Sequence, residues 1–205
     1  MASKLGPDFG KLRAVVLIGA LAAGKDTQTR RLVRRYGWPT IITSVDLVVP
    51  TANGELCPDS LVCARLSEHL ANITVEQTFI LNGMPRTDAQ VDCLAEILQR
   101  RYGQDWRDRT KVVDFGVCLE TGWERLEAAS DRGDRADDDY DTYCKRHRGH
   151  VLRGPQLAKA FAALEIAVEK IDTDFYTADG VYWELTRRLN LERGVMPQQQ
   201  KRASA

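Results

Sequence analysis

The 205-residue chain predicts an α/β fold, a parallel, doubly wound five-stranded sheet flanked by helices. Two observations predict it: short apolar runs alternate with segments of helical period, and short connections join them. A third is local. The first apolar run, Ala14-Val15-Val16-Leu17-Ile18, leads straight into Gly19-Ala20-Leu21-Ala22-Ala23-Gly24-Lys25-Asp26-Thr27, a strand, a glycine-bracketed loop and a helix start.

Taken in order, residues Met1 to Gly10 carry Gly and Pro with little periodicity and read as a loose lead-in. After the first strand, the loop spacing lets successive backbone N–H groups converge on phosphate oxygens while the lysine reaches the outer phosphates. The helix from Lys25 to Tyr36 points its positive dipole end at the same anion. A plain glycine-containing βα turn is the alternative reading. Gly37-Trp38-Pro39 breaks the period, and Thr40-Ile41-Ile42 is a short strand ending in the polar Thr43-Ser44-Val45-Asp46. Polar residues at that end of a strand sit where open α/β sheets bind ligands.

Pro50 to Pro58 is turn-rich, and Asp59 or Ser60 caps a helix running to about Leu70. Thr78 to Leu81 is the third strand, stopped by Asn82-Gly83-Met84-Pro85-Arg86-Thr87, and Thr87 caps the helix carrying Gln90, Val91, Leu94, Ile97 and Leu98. Lys111 to Leu119 suits a fourth strand and Thr121 to Ala129 a helix. Ser130 to Asp141 is dense in charge and reads as a solvated loop. A helix from Pro155 to about Val168, a short strand at Glu169 to Asp172 and a closing helix from Ala178 to Leu189 complete one domain, residues 1–190. The polar residues 191–205 read as a frayed tail.

Lys plus Arg and Asp plus Glu balance at 29 each, so no global field points to nucleic acid or a membrane. No apolar run approaches the roughly 18 residues of a membrane span. Five cysteines without C-x-x-C spacing read as buried thiols of a reduced cytosol, so a cytoplasmic monomer is the expectation. His69, His147 and His150 read as surface residues rather than acid–base groups, and Trp106, Trp123 and Trp183 as packing aromatics.

Two further stretches carry a family resemblance. Phe79 to Gln90 resembles the F-L-L-D-G-F-P-R-T-x-x-Q segment of adenylate kinases and related nucleoside monophosphate kinases. Arg135-Ala136-Asp137-Asp138, with Arg146 eleven residues after Arg135, resembles their G-R-x-D-D and following arginine. Gly19 to Gln28 is similar to their G-x-P-G-S-G-K-G-T-Q, so three motifs stand in the family's order.

The resemblance implies a P-loop NTPase-like fold and transfer of the γ-phosphoryl of ATP to a nucleoside monophosphate, foremost AMP, with Mg²⁺. Gly19, Ala22, Ala23, Gly24, Lys25, Asp26 and Thr27 would then cradle the ATP phosphates, and Arg125 would stack on the ATP adenine. Arg86 would hold the acceptor's phosphate. Arg135 and Arg146 would close over the transferring group, with Asp137 and Asp138 steering them. Ser44, Asp46 and Gly83 would line the acceptor side, and Gln90 would bond its base. Such transfer needs positioning and positive charge rather than a covalent nucleophile, and guanidinium forks supply both. The lid, about 130–141, resembles the family's short form and has no cysteine cluster for zinc.

Five departures stand out. Leu21-Ala22 replaces the loop's Pro-Gly and Asp26 the glycine after lysine. Asn82 replaces the aspartate that helps hold magnesium, so Asp26 is the candidate metal carboxylate here; a helix cap pointing away is the alternative. Ala129 stands where a lid-side arginine is expected, with Arg132 nearby. Val49 replaces an arginine that binds the acceptor phosphate. The acceptor-binding segment, about 46–58, is much reduced. Weaker acceptor binding, broader base choice or a different acceptor follows. A kinase of UMP, CMP or a deoxynucleotide, and a nucleotide-binding regulator without turnover, are therefore the competing readings.

Overall fold

Apolar residues that run without a polar break must be buried on both sides, and β1 (Ala14–Gly19) is such a run. The computed structural model describes residues 10–47, 57–128 and 139–191. After β1 come α1 (Lys25–Tyr36), β2 (Thr40–Ile42), a π-helical turn (Thr43–Leu47), α2 (Asp59–Ala71) and β3 (Phe79–Asn82). Then follow α3 (Asp88–Tyr102), a 3₁₀ turn (Gly103–Trp106), β4 (Thr110–Gly116), α4 (Leu119–Glu127) and α5 (Tyr140–Ala163). β5 (Val168–Asp172), a 3₁₀ turn (Thr173–Phe175) and α6 (Ala178–Arg188) close the order.

The five strands pair in parallel in the order β2-β3-β1-β4-β5. β1 is central, with Ala14 opposite Phe79 on one side and Thr110 on the other. Its alternate side chains serve two cores. Ala14, Val16 and Ile18 pack with Leu66 of α2, Leu94 of α3 and Phe161 of α5. Val15 and Leu17 pack with Leu32 of α1 and Leu185 of α6. The chain is thus a helix–sheet–helix sandwich, as the alternating pattern predicts. Among the described residues no helix is long and apolar enough to cross a membrane.

α2 and α3 lie side by side and are tied at three points. Gln90 Nε2 donates to Asp59 Oδ1 at 2.7 Å, Cys63 is disulfide-bonded to Cys93, and Arg101 Nη1 donates to the Leu70 carbonyl at 2.8 Å. The disulfide corrects the expectation of five free thiols. Helical period turns both cysteines toward the same interface and brings their Cα atoms to 6.2 Å, a separation that a linear reading of spacing cannot reveal.

Other expectations change too, beginning with α2, which starts at Asp59 behind Pro58 without a side-chain cap, whereas Asp59 or Ser60 was expected to cap it. α5 is one helix of 24 residues that runs through Pro155, whereas the sequence placed its start there. The proline lacks the N–H that would bond the Val151 carbonyl, and Val151 lies on an exposed part of the helix, where that loss costs least. β4 stops at Gly116, and Leu119, expected as its last residue, opens α4, because Cys118 caps the helix by accepting from the Thr121 N–H. His147 is buried rather than superficial, and its Nε2 lies 2.9 Å from the Val117 carbonyl. Trp106 is buried as expected, and Thr87 caps α3 as its hydroxyl predicts.

Candidate active site

The carboxyl ends of β1, β3 and β4 gather the polar groups of the loop segments into one place. The loop from Gly19 to Gly24 leaves β1 with Gly19 at φ 145° and reaches α1 through Gly24 at φ 91°. At Gly19 a side chain is excluded twice over: its backbone conformation is one L residues rarely adopt, and a Cβ would stand 2.6 Å from the Phe115 carbonyl. Ala22 sits at φ 61°, a left-handed position that normally falls to glycine, in the place of the family's loop glycine. No side chain caps the start of α1, so its first N–H groups are left to an anion.

Lys25 arches back over this loop, donating from Nζ to the carbonyls of Gly19 at 2.9 Å and Ala20 at 2.6 Å. An ammonium has three donors, so one is left for a phosphate oxygen. Burial lowers the Lys25 pKa from 10.5 to about 8, with Arg86 acting in the same direction and Asp26 and Asp114 opposing. An anion on the loop would remove that penalty.

Asp26 and Asn82, two of the family departures, meet. Asn82 Nδ2 donates to Asp26 Oδ1 at 2.7 Å, linking the first turn of α1 to the end of β3. Asp26 itself is exposed on its other side. Among the described residues no group of three or more His, Cys, Asp or Glu could hold a metal alone. The donor set that exists, one carboxylate beside a phosphate loop, suits Mg²⁺, which keeps most of its waters and binds largely through substrate phosphates.

Arg86 is half-buried at the mouth of the β3 loop, its Nε donating to the Gly83 carbonyl at 2.9 Å. Burial lowers its pKa, as do Arg153 and Arg146. Arg153 and Arg146 both lie on α5, so three guanidinium groups share one region. Gln90 is buried, with Oε1 accepting from the Arg86 N–H at 2.8 Å and Nε2 bonded to Asp59. Asp46 Oδ2 accepts from the Ile42 N–H at 2.6 Å and holds the π-helical turn, on which Ser44 is exposed. Arg125 donates to the Thr173 hydroxyl at 2.8 Å and carbonyl at 2.9 Å, which fixes the plane of its guanidinium at the ends of β4 and β5.

Arg135, Asp137 and Asp138, with Val49, Ala129, Arg132 and most of the lid and acceptor segment, lie outside the described residues. Sequence reasoning missed Asp59, Asp114, His150 and Arg153. Asp114 Oδ1 is 3.2 Å from His150 Nε2, tying β4 to α5 beside Lys25. The signal for Arg153 was available: it stands two helical turns after Arg146, but only if α5 begins before Arg146 rather than at Pro155.

No protein-family model matches the chain. Curated adenylate kinases do match. One from Fusobacterium nucleatum is 39% identical over 100 residues, covering 42% of this chain and 47% of the relative. One from Bacillus subtilis is 36% identical over 120 residues, 52% of each. One from Hyphomonas neptunium is 29% identical over 169 residues, 76% of this chain and 87% of the relative. In the first two matches the chain spans about half the length of the relative. The resemblance to adenylate kinases is thus borne out, and each of these relatives bears that name.

Proposed function

We propose that this chain, similar in sequence to adenylate kinases, transfers the γ-phosphoryl group of ATP to AMP, giving two ADP. The observation that supports it most is the looped-back Lys25 ammonium beside an uncapped helix start at the carboxyl edge of the sheet, near enough to Arg86 for the two charges to act on each other. Arg146 and Arg153 add charge to the same region.

In the reading we favour, the loop N–H groups and Lys25 hold the β- and γ-phosphates of ATP, and Arg86 holds the acceptor monophosphate. An oxygen of that monophosphate attacks the γ-phosphorus, the bond from γ-phosphorus to the β-bridging oxygen breaks, and ADP leaves. Arg146, with Arg135 by resemblance, offsets the charge that builds on the transferring group. Arg125 supports the ATP base on the face of its guanidinium, and Gln90 meets the acceptor base after exchanging one of its internal bonds. Mg²⁺ would neutralise phosphate charge, and the Asp26 carboxylate, which accepts a hydrogen bond from Asn82, would hold it.

We place the activity in one domain, residues 1–190, with the reduced acceptor segment at 46–58 and a short lid at 130–141. We take it to work in the cytoplasm as a monomer that binds nucleotides rather than nucleic acid or a membrane, consistent with a net charge of zero. The deciding experiment is ADP formation from Mg-ATP with AMP, UMP, CMP, GMP and dTMP in parallel, with Lys25→Ala as control. Turnover with AMP above the others supports the proposal. Turnover with another acceptor moves the substrate, and ATP binding without acceptor-dependent ADP makes the chain a regulator.

A further inference from the structure

α5 advances about 1.5 Å per residue and turns once in about 3.6, so residues seven apart fall on one face about two turns from each other. Arg146 and Arg153 are such a pair. The Arg153 side chain lies back over Gly149, where an added Cβ would stand 3.0 Å from Nη1, so the missing side chain at 149 leaves the guanidinium its place. From there it reaches a cavity of ≈ 210 Å³ between α5 and the start of α3, lined by Arg86, Thr87, Asp88, Arg153, Gln156 and Leu157.

The charges around this cavity are unbalanced. Arg153 is first among the charged groups that depress the proton affinity of Arg86, so the two cations face each other. Arg86 spends Nε on the Gly83 carbonyl, and among the described residues Arg153 makes no hydrogen bond or ion pair. The one carboxylate on the wall, Asp88, is exposed in the first turn of α3. The Thr87 hydroxyl is committed to the Gln90 N–H. Two half-buried guanidinium forks converging without an acid between them are built for a planar or tetrahedral oxyanion. The volume admits a phosphate group and part of a sugar, whereas whole ligands of drug size fill about 300–1,000 Å³.

We infer that Arg153 binds the acceptor's monophosphate together with Arg86, supplying from α5 the second guanidinium that the acceptor segment lacks where Val49 stands. The inference rests on the phosphotransfer reading above and adds to it a residue that touches the acceptor. It also gives the reduced acceptor segment a physical compensation: the phosphate is gripped from the core side, by a helix packed on the sheet, instead of from a flap.

The test compares wild type with Arg153→Met, Arg153→Lys and, as an exposed control on the same helix, Arg148→Met. AMP is titrated at saturating Mg-ATP, Mg-ATP at saturating AMP, and AMP binding is measured separately by calorimetry without ATP. Removing a charge-assisted contact predicts a rise of about 10-fold to 100-fold in KM and Kd for AMP in Arg153→Met. KM for ATP and kcat stay within about 3-fold, and Arg148→Met matches wild type throughout. Arg153→Lys falls between, since an ammonium keeps the charge but loses the fork. Inorganic phosphate should compete with AMP in wild type and compete less in Arg153→Met.

An unchanged KM and Kd for AMP in folded Arg153→Met overturns the inference, as does a rise confined to ATP, which would assign the residue to the donor. If Arg153→Met does not fold, Arg153→Lys decides by the same criteria. The two readings separate cleanly. Wild type that binds AMP without making ADP refutes the phosphotransfer proposal while calorimetry still judges Arg153, and wild type that does not bind AMP at all refutes both.

Discussion

Restoring the family's residues at positions 26 and 82 tests whether the two departures are one event. Asn82→Asp alone removes the 2.7 Å donor to Asp26 and puts a second carboxylate in its place. The lost charge-assisted bond is worth about 1.5–3 kcal/mol, and two unit charges about 4 Å apart repel by about 4 kcal/mol at an effective dielectric of 20. Asp26 is exposed, so water screens much of the second quantity, and we expect a net destabilisation of about 2–3 kcal/mol. Asp26→Gly alone leaves Asn82 a neutral amide beside the phosphate loop, and affinity for Mn²⁺ in the presence of a non-hydrolysable ATP analogue should fall about 10-fold to 100-fold. The double variant, with glycine at 26 and aspartate at 82, should recover both stability and metal affinity to within about 1 kcal/mol. Urea denaturation reads the first and electron paramagnetic resonance titration of Mn²⁺ the second. Stability changes that add to within about 0.5 kcal/mol, together with unaltered Mn²⁺ affinity in Asp26→Gly, would refute the reasoning.

Four further outcomes follow from the loop. The pH profile of kcat/KM for ATP should have a basic limb near 8, where free Lys25 loses its proton, and a limb unmoved in Lys25→Arg would count against that origin. The same depressed pKa means that the unfolded chain holds more protons between about 8 and 10.5, so wild type should gain stability relative to Lys25→Met as pH rises through that window in urea titrations. Ala22→Gly should stabilise the protein by about 0.5–1 kcal/mol, the relief of a left-handed alanine outweighing the added freedom of the unfolded glycine, and a lower urea midpoint would contradict it. Gly19→Ala should cost more than about 2 kcal/mol, because its Cβ meets backbone of β4 rather than a side chain able to swing aside, and an unchanged melting temperature would show that the loop yields.

How much could be read beforehand depended on the range of the interaction. β1, the loop and α1 were legible because each is decided within a few residues: a doubly buried apolar run, glycines where the backbone turns, and a helix that ends at Gly37. The Thr87 cap was legible for the same reason, its hydroxyl acting on a neighbour three residues away. α5 was not, since proline is a local breaker whose cost is lowest where the helix around Val151 is exposed, and exposure is a tertiary property. Losing the first half of that helix hid the alignment of Arg146 with Arg153 and the burial of His147. The pairing of Cys63 with Cys93 and the meeting of Asp26 with Asn82, 56 positions apart, depend on how helices and strand ends pack, which spacing along one segment does not encode. Lys25 and Arg86 were found through motif resemblance, but their mutual influence needed three dimensions.

The three ties between α2 and α3 have a mechanical consequence. Their partners are offset by nearly the same count, Asp59 with Gln90, Cys63 with Cys93 and Leu70 with Arg101, so the helices run in the same direction like the rails of a ladder with rungs at the bottom, near the bottom and at the top. Sliding one rail by a turn would break every rung together, one of them covalent. The acceptor side of the site therefore rests on a single stiff strut, and the rails should keep a constant spacing while nucleotides come and go. Spectroscopic labels at the exposed Ser67 and Glu96 would report one distance, with or without AMP.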